Sequence, residues 1–288
     1  MKLGIALGGG GARGLAHIGV LKTFEKHGIP ISQISGTSIG AFVGGLYAVF
    51  RDAKKVEEFI YDFVNKEAFK DLNLDAFDPA PQQNQGYLKS MLNSAYKNIS
   101  IYRSWRHKSM LTPEQVENIF KFYPDNNIED LADESEIDFA AVTTDLISGR
   151  ETVISTGSLR LAVLASSSIP GVFPPVEMLG TFMCDGGVAD LVPVYVSRSR
   201  GAQMVVAVDV TKSLNEKEDL SSGLKIIDRA QTILSYQLSR ERLAGADIVI
   251  RPSSTRFSWA SVRHMPEIIK SGEEAAEKVM PKLKELLK

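Results

Sequence analysis

The chain has 288 residues and a formal net charge of −2, with 44% hydrophobic and 24% charged residues. That balance excludes a disordered chain and a basic nucleic-acid binder, and the length suits one large α/β domain or two small ones. One cysteine, Cys184, and four histidines without metal-ligand spacing exclude an intrachain disulfide framework and argue against a metal centre.

In chain order, Lys2–Leu7 is a short apolar run that stops at glycine, the pattern of a buried strand. Leu15–His27 carries Leu15, Ile18, Leu21 and Phe24 on one helical face, closed by Gly28 and Pro30. Ile31–Ser35 reads as a second strand, Ile39–Phe50 as a buried, almost wholly apolar helix, and Ala53–Val64 as an amphipathic one. Residues 66–111 break the pattern and form an irregular, lid-like insertion. Thr112-Pro113-Glu114-Gln115 opens a helix with a capping box. Ile137–Thr143 and Glu151–Ser155 read as strands around a Ser148-Gly149 turn, and Ser158–Ala165 as a capped helix. Met178–Cys184 spans a strand or a hairpin around Gly180. Met204–Val210 and Asp247–Arg251 are further strands, separated by the helix Leu224–Leu243, and Glu267–Leu287 closes the chain as an amphipathic helix. The strand–helix alternation predicts a mostly parallel sheet covered on both faces, in one domain over 1–288. The N-terminus is a poor secretory segment and the longest apolar run is too short for a membrane span, so the expected location is cytoplasmic.

The 23 glycines are not evenly placed: twelve fall in the first 45 residues, where an even spread would put about four. They concentrate in two strand-to-helix turns. Gly36-Thr37-Ser38-Ile39-Gly40 is a GxSxG between a strand and a buried helix, the setting of a nucleophile elbow. Its alternative reading, a glycine-rich N-cap, is the weaker one. Gly8-Gly9-Gly10-Gly11-Ala12-Arg13-Gly14 also satisfies GxGxxG, but the second strand ends without the carboxylate that a ribose needs. No Lys-Ser/Thr follows Gly14, so the loop is no P-loop either. A run of N–H groups turned toward one point suits an oxyanion hole facing Ser38. Arg13 reads as an anchor for that loop, with a lipid head group as its alternative partner.

A serine nucleophile needs a base. His17 and His27 read as surface or packing residues, and no motif surrounds His107 or His264. Asp185, in Cys184-Asp185-Gly186-Gly187, is the strongest candidate, with a plain β-turn aspartate as the equal alternative. Cys184 reads as a small buried residue.

Gly9–Gly14, Gly36–Gly40 and Asp185–Gly187 together resemble the three signature blocks of patatin-like phospholipases. Val142–Leu146 and Ala165–Pro175 resemble the bacterial members related to the neuropathy target esterase catalytic domain. The resemblance implies a three-layer α/β sandwich related to the FabD/lysophospholipase-like fold. It further implies a Ser-Asp dyad without histidine, Ser38 as nucleophile and Asp185 as base. Gly9, Gly10 and Gly11 would form the oxyanion hole, with the Ile39 N–H as a further donor. Gly14, Gly36, Gly40, Gly186 and Gly187 would shape the turns. The implied activity is hydrolysis of phospholipid or other fatty-acyl esters through an acyl-serine, with no cofactor. Transfer of the acyl group to another acceptor and a non-catalytic scaffold are the competing readings. Malonyl-type transferases share the elbow but use a histidine motif that is not evident here. The stretch from Lys97 to Lys108 interleaves Arg103, Arg106 and Lys108 with Tyr102 and Trp105, a composition suited to peripheral membrane contact or to a solvated loop. Homo-oligomerisation is left open by the sequence.

Overall fold

The structure is a computed structural model and describes residues 1–72, 107–135, 137–212, 214 and 220–288. Its sheet has eight strands: β1 (Leu3–Leu7), β2 (Gln33–Thr37), β3 (Asp138–Asp145), β4 (Glu151–Ile154), β5 (Val176–Met178), β6 (Thr181–Asp185), β7 (Met204–Val208) and β8 (Ile248–Ile250). Their hydrogen-bonded path runs β5-β6-β3-β2-β1-β7-β8, with β4 also paired to β3. Strands β3, β2, β1, β7 and β8 run parallel, whereas β4, β5 and β6 are antiparallel to their neighbours. β1 sits between β2 and β7, so all five of its residues are buried, and this is why it reads as a continuous apolar run.

Ten α-helices occur among the described residues: α1 (Ala16–Lys26), α2 (Ile39–Phe50), α3 (Ala53–Asn65), α4 (Glu67–Lys70), α5 (Pro113–Phe120), α6 (Ile128–Ser135), α7 (Leu159–Ser166), α8 (Val194–Ser199), α9 (Gly223–Leu243) and α10 (Met265–Leu286). Side chains alternate across the sheet. Leu3, Ile5, Leu7, Val206 and Val208 join the main core with α1, α2 and α10. Ala6, Val205 and Ala207 point the other way, against Val192, Val194 and Leu243. Helices therefore flank both faces, the three-layer arrangement expected from the strand–helix alternation. Among the described residues no helix is long and apolar enough to cross a membrane.

Two differences from the sequence reading have physical causes. β2 runs over Gln33–Thr37, two residues later than the apolar pattern suggests. Gln33 is buried, and its amide donates to Ser35 Oγ at 2.6 Å, so the ladder continues through polar residues that look like a strand end. The Met178–Cys184 segment is a hairpin, β5–β6, around Leu179-Gly180. Helices α6 and α8 carry no strong sequence signal, being only eight and six residues long. Of the expected insertion at 66–111, residues 66–72, which include α4, and residues 107–111 are described. Residues 73–106, with Lys97, Arg103, Trp105 and Arg106, lie outside the described residues.

Candidate active site

The site is built where two strands meet end to end. β2 pairs with β3 through Thr37↔Val142, and β6 pairs with it through Asp185↔Thr143. Val142, Thr143 and Thr144 also pair with β4, which therefore occupies the opposite edge of β3. β2 and β6 consequently share one edge, and being of opposite direction they converge. Ser38 follows the last residue of β2, and Asp185 is the last residue of β6.

Ser38 is held at φ 56° and ψ −123°, a region that L-residues adopt only under constraint, at a cost of about 1–3 kcal/mol. The constraint is visible around it. A Cβ on Gly40 would stand 2.0 Å from the Leu7 carbonyl oxygen, and one on Gly36 would meet the Gly40 carbonyl at 2.5 Å. Both positions must be glycine for β2 to turn straight into α2. The Ser38 N–H donates to Ser166 Oγ at 2.9 Å, and that hydroxyl donates to the Val142 carbonyl at 2.6 Å. Ser166 thus ties the elbow to β3. The Ser38 carbonyl accepts from Phe42 N–H at 3.0 Å and begins α2, so the nucleophile stands at the positive end of that helix.

The three glycine-bearing blocks come together. Gly14 faces Ile39, where a Cβ would lie 2.1 Å from Cγ2. The Gly9 N–H donates to the Leu191 carbonyl at 2.9 Å, and Thr37 Oγ1 donates to the Asp190 carbonyl at 2.9 Å. The turn after Asp185 is thereby bound to both the glycine loop and the elbow. The Gly9 N–H, expected as an oxyanion donor, is turned away to Leu191. Gly9 contributes space instead, since a Cβ there would lie 3.3 Å from Ser38 Cβ. The N–H groups of Gly10, Gly11 and Ile39 make no hydrogen bond among the described residues, and all three residues are half-buried. Arg13 Nε donates to the Val210 carbonyl at 3.1 Å and so fastens the loop to the chain leaving β7.

Asp185 is 7% exposed, and burial pushes its carboxyl up to about 6. The Ser38 hydroxyl, as a side-chain hydrogen-bonding neighbour, and the Gly187 N–H, donating to Oδ1 at 2.7 Å, work in the opposite direction. A Cβ on Gly186 would lie 2.2 Å from the Val142 carbonyl oxygen, so that position needs glycine. The Asp185 N–H donates to the Ser168 carbonyl at 2.9 Å, and its carbonyl accepts from Thr144 Oγ1 at 3.1 Å. Cys184 is buried, and burial followed by the Asp185 charge pushes its thiol up to about 11.

No histidine pairs with Ser38 or Asp185 among the described residues. His27 Nε2 lies 2.8 Å from Glu277 Oε2, and His264 lies 3.6 Å from Glu267. His17, read from sequence as a surface or packing residue, is not at the surface and has a second role. It is fully buried, with Nε2 2.7 Å from the Gly8 carbonyl. A carbonyl only accepts, so Nε2 carries the proton, and burial lowers the imidazole to about 4 and keeps it neutral. His17 therefore holds the first peptide of the glycine loop. Ser166 lies in the Ala165–Pro175 block and His17 is a candidate base by residue type, but the backbone that each holds, and the place of Asp190 beside Thr37, escape sequence reasoning, because local pattern does not mark a residue that acts on a distant backbone.

A family model described as patatin-like phospholipase matches residues 5–197. Lysophospholipase NTE1 of Candida glabrata is 33% identical over 222 residues, covering 77% of this chain and 11% of that protein. Patatin-like phospholipase domain-containing protein 6 of Mus musculus is 31% identical over 276 residues, covering 93% and 18%. The chain thus spans less than a fifth of the length of these two relatives. In fold it resembles the crystal structure of VipD from Legionella pneumophila, with a TM-score of 0.54 over 98% of this chain and 66% of that one at 15% identity. On the sequence match, the chain belongs to the patatin-like phospholipase family.

Proposed function

We propose that the chain is a carboxylic ester hydrolase acting on fatty-acyl esters of phospholipids or lysophospholipids, with Ser38 as nucleophile and Asp185 as general base. The observation that carries this reading is the convergence of β2 and β6 on β3, which leaves a strained serine beside a buried carboxylate with no histidine at either among the described residues.

Asp185 takes the proton as Ser38 Oγ attacks the ester carbonyl, and the alcohol leaves with a proton returned by Asp185. Oxygen charge developing in the tetrahedral intermediate is met by the N–H groups of Gly10 and Gly11, with Ile39 N–H at the start of α2 as a further donor. Water, deprotonated by the same carboxylate, releases the fatty acid. Carboxylates are weaker bases than imidazole, and burial compensates by bringing Asp185 to about 6 while leaving it ionised near neutral pH. The lipid substrate class is supported by the names of the relatives, lysophospholipase and patatin-like phospholipase.

The test is incubation of the purified chain with a fluorophosphonate probe and, separately, with a mixed lipid extract read by mass spectrometry. Covalent labelling at Ser38 and release of free fatty acid are expected. A folded chain that neither labels nor releases fatty acid would overturn the reading.

A further inference from the structure

The edge of the sheet that carries Ser38 also carries two turns that break the rules for solvent-exposed turns. The first follows β3, where Ile147 is 75% exposed and Leu146 is 47% exposed. The second is the two-residue loop of the β5–β6 hairpin, Leu179-Gly180, where Leu179 is 75% exposed. Leu179 has φ 53° and Gly180 φ 74°. Consecutive positive φ values in a two-residue hairpin loop call for Asn-Gly or Asp-Gly, which adopt them at little cost and suit water. This chain instead places a large aliphatic side chain there. It is disfavoured twice, by its backbone conformation and by its exposure.

The two turns form one rigid unit. Asp145 Oδ1 accepts from Ile147 N–H at 2.8 Å and from Thr181 Oγ1 at 2.6 Å, and Oδ2 accepts from Ser148 Oγ at 2.7 Å. These bonds hold its carboxyl down, to about 2. The Leu146 N–H donates to the Phe182 carbonyl at 2.9 Å, joining the turns directly. Both project beyond the carboxyl ends of the parallel strands. Asp185 lies opposite Thr143, while the hairpin tip is six residues further along, up to about 20 Å at the usual strand rise. Exposed cations flank the tips: Arg150 in the first turn, and Lys108 with its Nζ 5.3 Å from the centre of the Phe182 ring. Glu177 is the exposed acid on the same hairpin.

We propose that Ile147 and Leu179 are a paired interfacial anchor that inserts into the surface of a phospholipid bilayer. Docking there would set the Ser38 edge against the layer holding the substrate ester, while Arg150 and Lys108 meet its phosphates. A water-facing turn gains nothing from leucine at this position, whereas a turn entering the acyl boundary gains its apolar transfer energy. The proposal rests on the reading of the chain as a lipid acyl hydrolase.

The experiment uses Leu179→Asn, Ile147→Asn and the double variant, each also in a Ser38→Ala background. Co-sedimentation of the Ser38→Ala proteins with vesicles of phosphatidylcholine and phosphatidylglycerol reads docking without turnover. Each single variant should weaken partitioning about tenfold, and the double variant more. Leu179→Asn should melt at the same temperature or higher, since asparagine fits the turn. With Ser38 intact, hydrolysis of monomeric p-nitrophenyl butyrate should be unchanged while hydrolysis of vesicle phospholipid falls. Unchanged partitioning of the double variant would overturn the proposal. So would an equal loss on the monomeric ester, or a shift from dimer to monomer, which would assign the patch to a second copy. Leu179-dependent partitioning in a chain that hydrolyses no ester would keep the anchor and overturn the hydrolase reading instead.

Discussion

Ser38 and Asp185 stand at the facing ends of two strands that share one edge of β3, anchored opposite its consecutive residues Val142 and Thr143. The separation of nucleophile and base is thus set by a β-ladder rather than by loops. The strained backbone of Ser38 and the buried carboxyl of Asp185 are each held by the framework that brings them together.

The pH behaviour follows from the position of Asp185. Its carboxyl is pushed up to about 6 by burial, and only the ionised form accepts a proton from Ser38. Ester hydrolysis should therefore fall below about pH 6, tenfold per pH step, and level off above it. Stability should run the other way. The folded carboxyl binds its proton more tightly than the unfolded one, so the ionised group costs the native state about 2–3 kcal/mol above pH 6 and nothing below pH 4. Thermal melting of Asp185→Asn against the parent across this range should show a stabilised variant at about pH 8 and a vanishing difference near pH 4.

Asp190 is a useful contrast, five residues on and fully buried. Burial and then the neighbouring Glu151 push its carboxyl up, while Arg242 Nε, 4.0 Å from Oδ1, works in the opposite direction. A carboxyl that burial shifts toward its protonated form is mimicked closely by an amide. Asp190→Asn should retain hydrolysis within about threefold, where Asp185→Asn loses it. Parallel kcat/KM measurements on one soluble ester check this.

Ser166 should matter without touching the substrate. Alanine there leaves the Ser38 N–H and the Val142 carbonyl unpaired, at about 1–3 kcal/mol for each buried group. The elbow loosens where its strain is greatest. The expected result for Ser166→Ala is a lower melting temperature and a kcat reduced about tenfold with KM little changed. An unchanged kcat in a destabilised protein would confine Ser166 to folding.

His17 acts on the glycine loop in the same indirect way. Removing its Nε2–H from the Gly8 carbonyl loosens the first peptide of the glycine loop, which the Gly9 N–H still ties to Leu191, and a resulting shift of the Gly10 and Gly11 donors costs transition-state stabilisation. His17→Ala should lower kcat about tenfold or more, with partial recovery in His17→Gln, which restores an N–H donor. Equal kcat values for both variants and the parent would reduce His17 to packing.

Much of this was legible in the sequence because the chemistry needs glycine where two backbones touch. A Cβ on Gly40 or Gly14 would collide with the other turn, and one on Gly36 with the backbone of its own elbow at Gly40, and such positions mark themselves. The apolar runs of β1 and β7 marked buried parallel strands for the same local reason. What stayed hidden depends on contacts far apart in the chain. The Gly9 N–H looks like an oxyanion donor until Leu191 is seen to claim it. The end-to-end meeting of β2 and β6 is a matter of register, which residue types do not encode. Leu179 lies in a segment that reads as a strand or as a hairpin around Gly180, and only its positive φ and exposure mark it as unusual.

The most direct test of the dyad is kcat/KM of Asp185→Asn on a soluble p-nitrophenyl ester at about pH 8, with folding verified by thermal melting. Loss of the general base should lower it by about 10²–10⁴-fold while the variant melts no lower than the parent. A folded Asp185→Asn chain that hydrolyses the ester within about threefold of the parent would show that another group activates Ser38.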